Sequence, residues 1–189
     1  LGCRYLVNID LDDFFHQVDE AKVHRIFAMD CFRFNRETEE LLTKLVCYHR
    51  RLPMGSPASP VLSNFAMLQA DAELMGYASA YHITYTRYVD DLSFSSTKPL
   101  PLNFMPDIKS ILQSHRFVAD PQKEKWFGKE DTKWVTGLIL TNSGIQLPLT
   151  FFEDLEDTLA TARMMIEKCL WLPPEMIGPI KNALHQTLA

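Results

Sequence analysis

Two short runs that alternate in polarity, His82-Ile83-Thr84-Tyr85-Thr86 and Leu92-Ser93-Phe94-Ser95, bracket the doublet Asp90-Asp91. A period of two on either side of a few turn residues is a β-hairpin signature, and it places both acids at the hairpin tip. A further apolar run, Tyr5-Leu6-Val7-Asn8-Ile9, closes on Asp10. A chain patterned this way is committed to a sheet whose strand ends carry carboxylates. Converging carboxylates suit two magnesium ions, hard cations that take oxygen ligands and keep waters and substrate phosphates in their shell. Such ions sit roughly 3.5–4 Å apart and act on both the attacking and the leaving oxygen of a phosphoryl transfer. Asp is also a common turn residue, so the doublet alone leaves a plain polar turn open.

The rest of the chain reads as helices around that sheet. After a first strand over roughly 4–10, Asp19 starts a helix with Val23, Ile26 and Phe27 inward. Asn35 caps a second helix over 36–48 with Leu41, Leu42, Leu45 and Val46 as its apolar residues. The run 52–60 holds three prolines and Gly55, which force a fixed loop. Ser59 is then expected to cap a long helix with Pro60 at its first position and Val61, Leu62, Phe65, Leu68 and Ala72 as its buried stripe. Pro106 opens a helix carrying Ile108, Ile111 and Leu112. A short strand Phe117-Val118-Ala119 and a charged turn over 120–125 follow. A second hairpin pairs Val135–Leu140 with Ile145–Leu147 across Asn142-Ser143-Gly144. Thr150 to Glu153 reads as a capping box before Leu155, Leu159, Ala162 and Ile166. Pro173-Pro174 breaks that helix before a last one near 175–187. Helices on one face of an antiparallel sheet make an α+β fold.

At 189 residues this is one domain, or one with a small appendage. An apolar content of 47% supports a sizeable core. The net charge of −5 gives no global basic signature, which argues against a stand-alone nucleic-acid binder but not against a core whose metal site must be acidic. Cys3, Cys31, Cys47 and Cys169 lack Cys-x-x-Cys spacing and read as reduced residues of a cytoplasmic protein. No apolar run suggests a membrane role. The chain opens at Leu1 without Met, already in a strand-like run, as expected of a piece whose N-terminal part lies elsewhere.

Three motifs occur in one order: Asp10 with Phe15 five residues on, Leu-Pro-x-Gly-Ser-Pro-x-Ser-Pro-x-Leu-Ser-Asn at 52–64, and Tyr-x-Asp-Asp at 88–91. Together they resemble a reverse transcriptase palm. Val135-Thr136-Gly137 is similar to a signature of the bacterial retron-type enzymes that group II intron enzymes usually lack. The resemblance covers about 10–140. It implies a polymerase palm with an antiparallel sheet backed by helices over 1–147, basic fingers upstream of Leu1, and a helical thumb or thumb fragment over 148–189.

The resemblance also assigns roles. Asp10 and Asp90 match the two main metal ligands, Asp91 the third catalytic acid, and the Leu11 carbonyl a further metal contact. The implied cofactor is a pair of Mg²⁺ ions, with Mn²⁺ as the alternative. Phe15 matches the aromatic gate under the incoming sugar, whose bulk selects deoxynucleotides, while Phe14 beside it is expected in the core. Gly55, Ser56 and Pro57 match the loop beside nucleotide and template, where glycine permits close backbone approach. Met54 departs from the pattern, since the family most often has Gln there; it is still flexible and apolar enough to line a pocket. Lys123 matches a lysine that contacts the triphosphate or protonates pyrophosphate, against the plain alternative of a solvated side chain. Asn64 ranks below Gly55. Tyr88 is placed near the primer end, and Arg87 is read as pairing with a carboxylate or with nucleic acid. Asp12 and Asp13 are read as capping or solvated, and His16, His49 and His115 as structural. Trp126, Trp134 and Trp171 suit base stacking, with packing preferred. Arg163, Lys168 and Lys181 are thin for an electrostatic grip.

The expected reaction is RNA-directed DNA synthesis from dNTPs on an RNA template with a DNA or RNA primer, in retron-type enzymes with a structured noncoding RNA. The alternatives are a group II intron maturase, a diversity-generating or antiphage polymerase, and an inactive palm that binds RNA. Three clustered acids without metal repel one another and phosphate, which counts against the last.

Overall fold

The computed structural model describes residues 2–141 and 143–168. Cys169, Trp171, Lys181, the Pro173-Pro174 break and the expected last helix lie outside them, as do the side chains of Ile166 and Lys168. The chain divides into two compact units, one of Leu1–Thr136 with Leu140–Gly144, the other of Gly137–Ile139 with Ile145–Ala189.

The first unit is built on a four-stranded antiparallel sheet in the order β2-β3-β1-β4, with β1 Tyr5–Asp10, β2 Thr84–Tyr88, β3 Asp91–Ser96 and β4 Lys125–Phe127. In antiparallel pairing, directly opposite residues share a face. The register Val7↔Phe94, Ile9↔Leu92 and Tyr85↔Phe94 gathers the apolar side chains on one face. The register Asn8↔Ser93 and Asp10↔Asp91 puts polar residues on the other. The helices α1 Glu20–Phe27, α3 Ala58–Ala80 and α4 Phe104–Ser114 supply the rest of the core. Val23, Ile26, Leu62, Met67, Leu74, Phe104, Ile108 and Leu112 join Val7, Ile9, Leu92 and Phe94 in one cluster. The fold is the α+β palm that the pattern implies.

The helix starts follow local chemistry. The Asp19 carboxylate accepts from the Lys22 N–H at 2.8 Å, and the Asn35 side chain from the Thr38 N–H at 2.9 Å. Each satisfies one of the free donors of a first turn. The second of these helices, α2 Arg36–Val46, buries Thr43 but leaves Leu41 and Leu45 exposed, at 58% and 71%.

Several expectations need correction. Ser59 does not cap α3. The helix starts at Ala58, where the Ser56 hydroxyl accepts from the Ala58 N–H, and Ser59 is buried with its hydroxyl donating to the Pro53 carbonyl at 2.6 Å. The buried stripe of α3 is Ser59, Leu62, Ser63, Met67, Ala70, Leu74 and Ala78, while Val61, Leu68 and Ala72 are exposed. Apolar residues occur all around this helix, so its periodicity does not choose a face. Helix α4 starts two residues before Pro106, which sits in the first turn where its missing N–H has no helical partner to lose. Residues 117–119 form only a bridge, Leu11↔Ala119, and Lys125 opens β4 against Asn8 where a turn is expected. The expected strand Val135–Leu140 is cut at Thr136 and Gly137, both at positive φ, giving β5 Lys133–Val135 and β6 Leu138–Leu140.

In the second unit β7 Ile145–Gln146 follows the turn closed by the Thr141 N–H on the Gly144 carbonyl at 2.9 Å. Helix α5 runs Leu149–Lys168. It begins before Thr150, so Thr150 is not its cap. Among its described side chains within 149–165, Leu159 and Ala162 are half-buried.

Candidate active site

Asp10 is the last residue of β1, Asp91 the first of β3, and they are direct cross-strand partners on the polar face. Only Asp90 lies in the turn. The pair Tyr88↔Asp91 closes the β2–β3 hairpin around Val89-Asp90. The doublet is thus split between a turn and a strand, not held whole at the tip. The turn is strained, because Val89 has φ 56°, a left-handed value that a β-branched residue rarely holds.

The backbone around Asp10 is tied down on both sides. The Leu11 N–H donates to the Asp90 carbonyl at 3.0 Å, the Asp120 N–H to the Asp10 carbonyl at 2.8 Å, and the Asp12 N–H to the Val118 carbonyl at 2.9 Å. Gln17 adds a clamp that no sequence motif signals. Its amide donates to the carbonyls of Asp12 and Val118, and its oxygen accepts from the Val118 N–H at 2.7 Å.

A cavity of about 200 Å³ opens beside the acids, lined by Leu11, Asp13, Phe14, Phe15, Met54, Asp90 and Lys123. Five of these, Leu11, Phe15, Met54, Asp90 and Lys123, are residues that the sequence picks out, from segments as far apart as 11 and 123. Phe14 and Phe15 part ways in a 3₁₀ turn, Phe14–Gln17, not along a strand. Phe14 is buried against Phe117, with ring centroids 6.0 Å apart, and Phe15 is half-buried at the cavity. The ammonium of Lys123 lies 2.7 Å from Asp10 Oδ1, so this lysine is not merely solvated. That hydrogen bond, together with the charge of Asp10, raises the Lys123 pKa. Met54 is 71% exposed on the rim. Gly55, Ser56 and Pro57 are not among the lining residues. Gly55 has φ 81° with open space around the position of a Cβ, so its left-handed turn, not a close approach, is what calls for glycine.

Burial raises the Asp91 pKa first, and the charges of Asp90 and Asp10 raise it further, with Lys125 and Lys123 opposing. Among the described residues no three His, Cys, Asp or Glu side chains are gathered closely enough to hold a metal as they stand. The donor set nonetheless fits a hard divalent cation. It is all oxygen, and crowding raises an acid that such an ion would relieve.

Arg87 faces the helices, opposite Leu92. Its guanidinium holds Asp71 of α3 with two bonds, Nη2 to Oδ2 at 2.6 Å and Nε to Oδ1 at 2.9 Å. Nη1 donates to Asn64 at 2.9 Å and to the Val89 carbonyl at 2.8 Å. Tyr85 also donates to Asp71, at 2.8 Å. Burial works against the Arg87 charge, but Asp71 outweighs it and the pKa lies above the usual value. Burial and then Asp71 push the Tyr85 phenol far up. Of the two readings of Arg87, the carboxylate partner holds. Asp71 escaped sequence reasoning; the only signal for it was an acid within the apolar run of α3. His16 and Asp13 also pair, at 2.7 Å, and His115 lies 3.0 Å from Glu73. Tyr88 is exposed on the polar face beside the acids. Trp126 packs edge-on to Phe104 while staying half exposed, and the Trp134 backbone carbonyl accepts from the Asn8 amide.

No helix among the described residues is long and apolar enough to cross a membrane. Residues 1–140 match the family model described as "Reverse transcriptase (RNA-dependent DNA polymerase)". The chain is 34% identical over 146 residues to the retron Ec86 reverse transcriptase of Escherichia coli, an alignment covering 77% of this chain and 45% of that protein. It is 29% identical over 174 residues to the retron Mx162 reverse transcriptase of Myxococcus xanthus, covering 78% and 36%. It is 28% identical over 152 residues to the retron Ec83 reverse transcriptase of Escherichia coli, covering 74% and 48%. The chain therefore spans less than half the length of these curated relatives. With the three acids at one end of the sheet and the family model matching residues 1–140, this chain belongs to the reverse transcriptase family.

Proposed function

We propose that the protein carrying this palm is an RNA-directed DNA polymerase that adds dNTPs to a primer 3′-hydroxyl. The observation that carries the reading is the register Asp10↔Asp91, with Asp90 and Lys123 at a cavity that also holds Phe15. Asp10, Asp90 and Asp91, with the Leu11 carbonyl, would hold the divalent ions, magnesium in the first instance and manganese as the alternative. Those ions, when bound, supply Lewis-acid activation of the attacking oxygen and charge neutralisation at the leaving one.

The remaining work falls to this chain's own side chains. The backbone ties of Asp10 and Asp90 fix the acids before substrate arrives, and preorganisation of this kind is the main lever in phosphoryl transfer. Lys123 stands where a triphosphate would lie and exchanges its bond to Asp10 for one to phosphate. Phe15 forms the floor under the sugar and excludes a 2′-hydroxyl. Met54, with Gly55, Ser56 and Pro57 behind it, borders the nucleotide and template. Tyr88 meets the primer end. Residues 148–189 act as a thumb or part of one. The likeness to retron enzymes supports a structured noncoding RNA as the natural primer and template.

The test is primer extension on an RNA template with dNTPs and Mg²⁺, using the full-length protein beside Asp90→Asn. Extension by the parent alone establishes the chemistry. Equal extension by a folded Asp90→Asn protein removes the metal assignment.

A further inference from the structure

A second cavity in the first unit is larger than the one at the acids. It measures about 490 Å³, within the range of about 300–1,000 Å³ typical of small-ligand sites. It lies among the helices that back the sheet and shares no lining residue with the catalytic cavity. Arg25 and Met29 border it from α1 and the turn beyond, Phe65 and Gln69 from α3, and His115 and Arg116 from the end of α4. Lys22 completes the wall, and no Asp or Glu lines the cavity. Such a wall is unexpected in a chain whose net charge is −5.

The two arginines are not matched by anions; the acids nearest the wall are Glu73, 3.0 Å from His115, and Asp19, whose charge acts on Lys22. Lys22 is spent on the fold, donating to the carbonyls of Gln17 and Arg116 at 2.9 Å each, with its ammonium 3.6 Å from the centre of the Phe117 ring. Among the described residues neither Arg25 nor Arg116 forms an ion pair. The crowding is felt at Lys22: burial is the main cause that lowers its pKa to about 8, and Arg25 and Arg116 lower it further against the pull of Asp19. Arg116 also holds a costly position. Helix α4 ends with the Arg116 N–H on the Gln113 carbonyl and the Phe117 N–H on the Leu112 carbonyl, both at 2.9 Å. That pairing requires a left-handed residue, normally glycine, and Arg116 fills it at φ 59°. Beside the arginines the wall is apolar, with Ile26, Met29 and Phe65.

We propose that this cavity is a second nucleotide-binding site, taking a phosphate between Arg25 and Arg116 and a base against Phe65 and Met29. Gln69 is placed for the base edge. A free nucleotide and a residue of single-stranded RNA present the same phosphate and the same aromatic face, and both suit the site. The inference does not depend on the polymerase reading.

The test uses the full chain in EDTA, with AMP followed by calorimetry and a short fluorescein-labelled oligoadenylate followed by anisotropy. Saturable binding of at least one probe is expected, weakened about tenfold in Arg116→Gly and in Arg25→Gln, as loss of one charge-assisted contact predicts. Arg116→Gly should fold at least as well as the parent, because glycine adopts φ 59° freely, and its melting temperature checks this. Binding of AMP alone identifies a free nucleotide as the ligand, binding of the oligomer alone an RNA residue, and either supports the site. Three results overturn it: no saturable binding of either probe, unchanged affinity in both variants, or competition by inorganic phosphate as strong as by AMP. Asp90→Asn should leave both affinities unchanged, and a loss there would relocate the binding to the catalytic cavity.

Discussion

Asp90 and Asp91 are neighbours in sequence, yet backbone pairing sends them to different tasks. Asp91 is fixed by its strand opposite Asp10, whereas Asp90 sits in a turn whose carbonyl is bonded to the Leu11 N–H. Asp90→Asn keeps the size of the side chain and removes one of three clustered charges. Synthesis should be abolished while the fold stays intact or gains stability, which extension assays and thermal unfolding read together. Phe15→Ala should open the cavity to a 2′-hydroxyl and admit ribonucleotides. Unaltered rNTP-to-dNTP discrimination by an active variant would count against the gate. Asp90 was legible from the alternating runs around it, Phe15 only as a position in the family's motif. Lys123 was legible only as a motif position, and its bond to Asp10 came from the fold bringing residue 123 beside residue 10.

At the scale of elements, the catalytic hairpin is braced from behind. Arg87 and Asp71 are only 10% and 22% exposed and tie β2 to α3, while Arg87 also reaches the carbonyl of Val89 in the catalytic turn. Removing one partner leaves a largely buried charge unpaired. Arg87→Ala should therefore cost about 3 kcal/mol in denaturant unfolding. A loss near zero would mean that the pair is no more than a surface contact. Val89→Gly should raise stability by about 1 kcal/mol, because a β-branched residue at φ 56° gives way to one that tolerates it. Unchanged or lower stability would show that the turn carries no strain. Elements with capping residues or alternating polarity, such as α1 and β1, were readable in advance. Helix α3 was readable as a helix but not by face: its inward side carries Ser59 and Ser63, while Val61 and Leu68 turn outward.

For the molecule as a whole, the acids that serve the proposed chemistry work against the metal-free fold. Burial, then Asp90 and Asp10, raise Asp91, so the folded chain holds that proton more tightly than the unfolded one. The stability this group contributes is present below the ordinary Asp value of 3.8 and is lost as pH rises from there through the raised value. With chelator present, Asp91→Asn should melt higher than the parent near neutral pH, and the gap should close as the pH falls through the carboxylate range. A gap independent of pH would show that charge at Asp91 is not its cause. The sequence by itself determined β1 and the β2–β3 hairpin, the fixed proline loop, the order of the motifs and the identity of the acids, because period and turn chemistry act over a few residues. Tertiary structure alone decided that Asp10 faces Asp91, that Lys123 closes on Asp10, that Asp71 holds Arg87, and which side of α3 is buried. Those outcomes rest on strand register and on contacts between residues 16 to 113 positions apart, and no local pattern encodes them.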